Sequence, residues 1–83
     1  MVHTLLDPAE VLRLERSGLV TATFRRLDPE RQDAVAVAVL EEALTRGPSR
    51  VRVKEVARVA GVSVGSLYQY FGNRDGVLAF AVE

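Results

Sequence analysis

The sequence predicts an all-α fold: a small helical bundle with a helix-turn-helix, consisting of a homeodomain-like three-helix core, the start of a fourth helix and a short additional helix at the amino end. Three observations predict it. Apolar residues recur at the three- and four-residue intervals of a helix face rather than in alternation. All but the run at 53–60 are preceded by a capping residue, and a glycine ends all but the last. Two of the runs, 53–60 and 64–71, are short and are joined by the three residues Gly61-Val62-Ser63 alone. With 83 residues the chain has room for one core.

The elements follow in order. Asp7-Pro8-Ala9-Glu10 supplies an N-cap acid, a proline at the first helical position and a glutamate to complete a capping box, predicting a helix from Pro8 to about Ser17 that Gly18 stops. Leu19 to Thr23 is apolar, β-branched and brief, and reads as an extended connector. Asp28-Pro29-Glu30-Arg31 opens a longer helix with Val35, Ala36, Val39, Leu40 and Ala43 at helical spacing, ended by Gly47-Pro48. The β-branched Val35, Val37 and Val39 would also suit a strand; length and capping decide for the helix. Val53, Val56, Ala57 and Ala60 then share one helical face, leaving Lys54, Glu55 and Arg58 outward. Gly61 stops that helix, Ser63 caps the next, which Gly72 ends, and Asn73 caps a last helix from about Arg74 with Val77, Leu78 and Ala81 as its buried stripe. Residues 1–23 are thus expected to form an extension, and residues 24–83 the helix-turn-helix domain.

Composition excludes several classes of function. Hydrophobic residues make up 48% and charged residues 27%, a balance that buries enough surface to fold. The chain has no cysteine, hence no disulfide framework and no thiolate nucleophile, and neither a leader-like start nor an apolar run of membrane-spanning length. A cytoplasmic protein without a membrane partner is expected. His3 stands alone near the terminus and reads as a terminal polar residue. The acids of the long helix have no histidine or nucleophile near them in sequence, and no phosphate-binding glycine loop is present. No enzyme, metal site or cofactor is expected.

Net charge is zero, yet its distribution is uneven. Arg50 to Arg74 carries five cations against Glu55 alone, a local +4, whereas Asp28 to Arg46 carries −3. Within 64–71, Leu67 and Phe71 must point back toward Val56, Ala60 and the long helix. That leaves Gly65, Ser66 and Gln69 farthest outward, with Tyr68 and Tyr70 on the flanks and no acid among them. A slim, acid-free ridge of this kind can enter a major groove, where Gln69 can bond a base edge or phosphate and Tyr68 can lie on a thymine methyl. Tyr70 can donate its hydroxyl to phosphate, and the free amides near Ser63 and Asn73 offer further phosphate sites.

The string from Val56 through Ala57-Arg58-Val59-Ala60-Gly61-Val62-Ser63-Val64-Gly65-Ser66-Leu67-Tyr68-Gln69-Tyr70 to Phe71, followed by Gly72-Asn73-Arg74-Asp75, resembles the amino-terminal domain of the TetR family of bacterial repressors, and the resemblance extends from about Phe24 to Leu78. It implies sequence-specific binding to a double-stranded DNA operator by a bacterial transcriptional regulator, a repressor, with 64–71 as recognition helix in the major groove. The residues expected at DNA are Arg52, Lys54, Ser63, Val64, Gly65, Ser66, Tyr68, Gln69, Tyr70 and Arg74. Val64 departs from the basic residue often found there, Arg52 from the usual capping serine or threonine, and Ala43 and Pro48 from bulkier core residues. Family members carry a larger carboxy-terminal domain that binds a small effector and makes the dimer. That domain is expected to be absent here, so no small ligand is inferred and a homodimer would be weak. The other reading is a protein-interaction module that modulates another regulator's dimerisation.

Overall fold

A computed structural model describes residues 7–82, all of whose regular structure is helical. Helix α1 (Pro8–Arg16) starts at Asp7, whose carboxylate accepts the Glu10 amide at 2.9 Å. The reciprocal arm of the capping box is not formed; the Glu10 carboxylate lies 4.0 Å from Arg13 instead. Helix α2 (Ala22–Arg25) replaces the expected extended connector. The reason is Thr21, whose hydroxyl accepts the Phe24 amide and turns an apolar β-branched stretch into a capped helical turn. The expected boundary after Thr23 falls inside α2, and Val11, Leu14 and Val20 belong to the same buried cluster as the rest of the core. His3 lies outside the described residues.

Helix α3 (Pro29–Arg46) is the long element, N-capped by Asp28 at 3.0 Å from the Arg31 amide. Val35 and Val39 are fully buried while Val37 is 38% exposed, the pattern of a helix and not of a strand, on which all three would share a face. After Gly47 a 3₁₀ turn, Pro48–Arg50, leads into α4 (Val53–Ala60), α5 (Val64–Phe71) and α6 (Arg74–Val82). Helix α3 packs on α4, on α6 and on the 3₁₀ turn, and α5 packs on α2, α4 and α6. The core lies where these faces meet, with Phe24, Val35, Val39, Val51, Val56, Leu67 and Val77 fully enclosed.

Two glycines shape the corners. Gly61 adopts a left-handed conformation (φ 74°, ψ 30°), its amide donates to the Arg58 carbonyl at 3.3 Å and the Val62 amide to that of Ala57 at 3.0 Å, a Schellman stop that reverses the chain between α4 and α5. Gly76 is required by proximity instead: a Cβ there would sit 1.9 Å from the Phe71 carbonyl oxygen, because α6 starts directly against the end of α5. The Asn73 carboxamide oxygen caps α6 through the Gly76 amide at 2.8 Å, as its sequence position predicts.

Gly76→Ala is therefore expected to cost about 1–3 kcal/mol as local overpacking, lowering the thermal midpoint by about 4–8 °C per kcal/mol in a domain of this size. An unchanged melting curve would show that the α5–α6 corner yields freely.

Candidate nucleic-acid interface

Helix α5 begins at Ser63, whose Oγ accepts the Ser66 amide at 3.0 Å and lies 3.0 Å from the Ser66 hydroxyl. This fixes the leading turn and leaves the amides of Val64 and Gly65 as unfilled donors of the helix start. Leu67 and Phe71 are buried, as their spacing predicts. Gly65 and Gln69, one turn apart, are exposed on the opposite side, and Ser66, Val64 and Tyr68 are half-buried. Tyr70 departs from the expected free flank. It is 7% exposed, with its ring edge-on to Phe24 at 6.2 Å between centroids, because α2 brings Phe24 against that side of α5. The sequence gives no sign of this contact, because Phe24 directly follows the connector at 19–23, which reads as extended, and lies 46 residues before Tyr70.

Tyr68 turns the other way, over a cleft of about 610 Å³ bounded by the 3₁₀ turn and the first turns of α4. Arg50, Arg52, Lys54 and Arg58 line this cleft with it, together with one carboxylate, Glu55. Arg50 and Lys54 are exposed and make no ion pair with any described residue. Arg52 and Lys54 stand among the expected DNA residues; Arg50 and Arg58 do not. Their signal was the local charge count, which gives no direction until the turn at Pro48–Arg50 places Arg50 beside α4. The Arg74 side chain lies outside the described residues; its backbone opens α6.

The carboxylates set which cations remain available. Glu42, on α3 and 8% exposed, accepts the Arg52 amide at 3.1 Å and the Arg52 Nε at 3.3 Å, and pairs with the Arg46 Nε at 3.1 Å. Arg52, the N-cap of α4, makes no side-chain cap bond, and its own amide is satisfied by a carboxylate from the neighbouring helix, the role that the glutamate of a capping box otherwise plays. The Arg52 Nη groups donate to no described residue and remain open to the cleft. Arg58 is closed off differently, forked onto Glu55 one turn away, with its Nε at 3.1 Å from Oε1. That fork holds the Glu55 carboxyl below the usual glutamate range, with Arg52 and Arg46 reinforcing it and desolvation opposing it; the same pair raises the Arg58 guanidinium.

A compact two-helix corner therefore presents a narrow polar ridge beside a cationic cleft. Residues 35–80 match the family model for bacterial regulatory proteins of the tetR family, more than half of the chain. The chain belongs to the TetR family. It is also similar to the HTH-type transcriptional regulator PksA of Bacillus subtilis (strain 168), with 35% identity over 60 residues, covering 71% of this chain and 29% of that protein. The TetR-family chain thus spans less than a third of its relative's length. No solved structure matches it. The matched residues place the chain among bacterial regulatory proteins of that family. No helix among the described residues is long and apolar enough to cross a membrane.

Two expectations follow. Glu42→Ala should destabilise the domain by about 1 kcal/mol, the usual net worth of one intramolecular hydrogen bond, with urea unfolding as the measure; Glu42→Gln, which keeps an acceptor, should lose less. Because the Glu55 pKa is depressed in the folded state, the pair's contribution is present above the unfolded glutamate value and fades as pH falls through the lowered one. The carboxyl titration of Glu55, followed by NMR, should accordingly have its midpoint below that of an unpaired glutamate and rise toward it in Arg58→Ala; a midpoint indifferent to Arg58 would contradict the assigned cause.

Proposed function

We propose that this domain binds a double-stranded DNA operator by laying α5 in the major groove, as the DNA-reading part of a bacterial transcriptional repressor. The observation that carries this reading is the junction of two features on one surface: the acid-free ridge of exposed Gly65 and Gln69 with half-buried Ser66, and the adjoining cleft of Arg50, Arg52 and Lys54. The ridge is slim because Gly65 has no side chain and Ser66 folds its hydroxyl back onto Ser63. Gln69 reaches a base edge from the exposed face. Tyr68, standing over the cations, serves a phosphate better than a thymine methyl. Val64 offers a methyl surface, and the free amides after Ser63 take a phosphate oxygen at the helix start. Tyr70 contributes through its hydroxyl only, since its ring is committed to Phe24. Arg74, at the start of α6, takes a further phosphate. Two copies on half-sites about 34–36 Å apart would read a palindrome.

Selection from random duplexes followed by titration over a range of salt tests the proposal. An enriched motif is expected, with log affinity falling against log salt by about 0.9 for each phosphate neutralised, hence a slope of about −3.6 per copy for Arg50, Arg52, Lys54 and Arg74. Gln69→Ala should flatten the motif at one position at a cost of about 1–3 kcal/mol, whereas Lys54→Ala should weaken all sequences alike. Failure to enrich any sequence, together with salt-independent or absent binding at low salt, would overturn the reading in favour of a protein-interaction module.

A further inference from the structure

We propose that Thr21, which lies outside the family-matched residues 35–80, is a positioning residue for the recognition helix and thereby a determinant of DNA specificity. The inference rests on the DNA reading above and extends it to a segment that reading leaves without a role.

Helix α5 is two turns long, so the carbonyls of its last turn have no partner within the helix. The Gly72 amide closes on the Tyr68 carbonyl. The next two are closed from 48 and 49 residues away: the Thr21 hydroxyl donates to the Gln69 carbonyl at 2.6 Å and also lies 3.1 Å from that of Tyr70, which the Thr21 amide reaches at 2.9 Å. The same hydroxyl oxygen accepts the Phe24 amide at 3.4 Å, so one side chain both starts α2 and ends α5.

The brace is anchored at its other end. Buried Gln32 on α3 donates its Nε2 to the carbonyls of Phe24 and Arg25 at 3.2 and 3.1 Å, and Phe24 is fully enclosed against the rings of Tyr70, Phe71 and Phe80. Helix α2 is thereby a fixed strut between the long helix and the trailing end of the reading helix. The carbonyl that Thr21 grips belongs to Gln69, the residue whose side chain is exposed on the ridge. Recognition geometry must hold to about 0.5 Å and 10–20°, and the hydroxyl fixes both the axial position and the rotation of that residue.

Three variants test this: Thr21→Val removes the hydroxyl at constant shape, Thr21→Ser restores it, and Thr21→Cys replaces it with a weaker donor of similar size. Two readouts are used, each well below the melting midpoint of the variant concerned. One is amide hydrogen exchange of the DNA-free protein. The other is affinity for the selected operator set against affinity for an unrelated duplex at the same salt. In Thr21→Val, exchange should quicken in the last turn of α5 but not in α3 or α4. Operator affinity should fall about five- to tenfold, as for one lost hydrogen bond, with affinity for unrelated DNA unchanged. Thr21→Ser should behave as wild type and Thr21→Cys should fall between, which keeps the test available if the valine variant does not fold. A wild-type exchange pattern and affinity ratio in Thr21→Cys or Thr21→Val, or a parallel fall on both duplexes, would overturn the proposal. A wild-type protein that selects no sequence, with the exchange effect still present, would instead retire the DNA reading and with it the specificity role, leaving the brace.

Discussion

An eight-residue helix does not keep its shape in water, because the cost of nucleating it exceeds what two turns of backbone hydrogen bonds return. Helix α5 must therefore borrow its order from what lies behind it, and the structure supplies a wedge of rings. Phe71 stands 5.8 Å from Phe24 and 5.0 Å from Phe80, so α5 is clasped between an element that precedes the long helix and one that follows α5 itself. Leu67 fills the centre without any exposure. Everything on the outer face can then remain small or polar, since none of it is needed to keep the helix in place.

The charges are partitioned with similar economy. The acidic character of α3 is not merely a solvated surface: Glu42 leaves the exposed set and closes the start of α4, where it also restrains two arginines. Glu55 takes Arg58 out of circulation. Arg50 and Lys54 remain uncompensated by any described residue, and Arg52 is half engaged. A chain of zero net charge can thus concentrate positive potential on one cleft without the self-repulsion of a uniformly basic domain.

Much of this was legible from local signals. Capping residues at Asp7, Asp28, Ser63 and Asn73 and the stop at Gly61 mark element ends through chemistry confined to three or four positions, and all do so in the structure. The inward set Val56, Leu67 and Phe71 follows from period alone. What escaped was long-range. Thr21 reads as a β-branched residue in an apolar stretch until the carbonyls of Gln69 and Tyr70 arrive beside it. Tyr70 reads as a flank until Phe24 occupies that flank. Glu42 reads as one more surface acid until the unusual Arg52 leaves a helix start for it to close. Each of these three partners lies ten or more residues away, a distance over which periodicity carries no information; the Thr21 cap of α2 is the exception, a local signal outweighed by the β-branched composition around it.

The separation of the two faces of α5 has an evolutionary corollary. At Gly65 a Cβ would meet nothing closer than the Ser63 Oγ at 3.8 Å, ordinary contact, and Gln69 is exposed one turn further on. Substitution at these positions alters the outer surface while leaving folding almost untouched, so, under the proposed DNA reading, the same scaffold would diversify after gene duplication by small, separately tolerable steps.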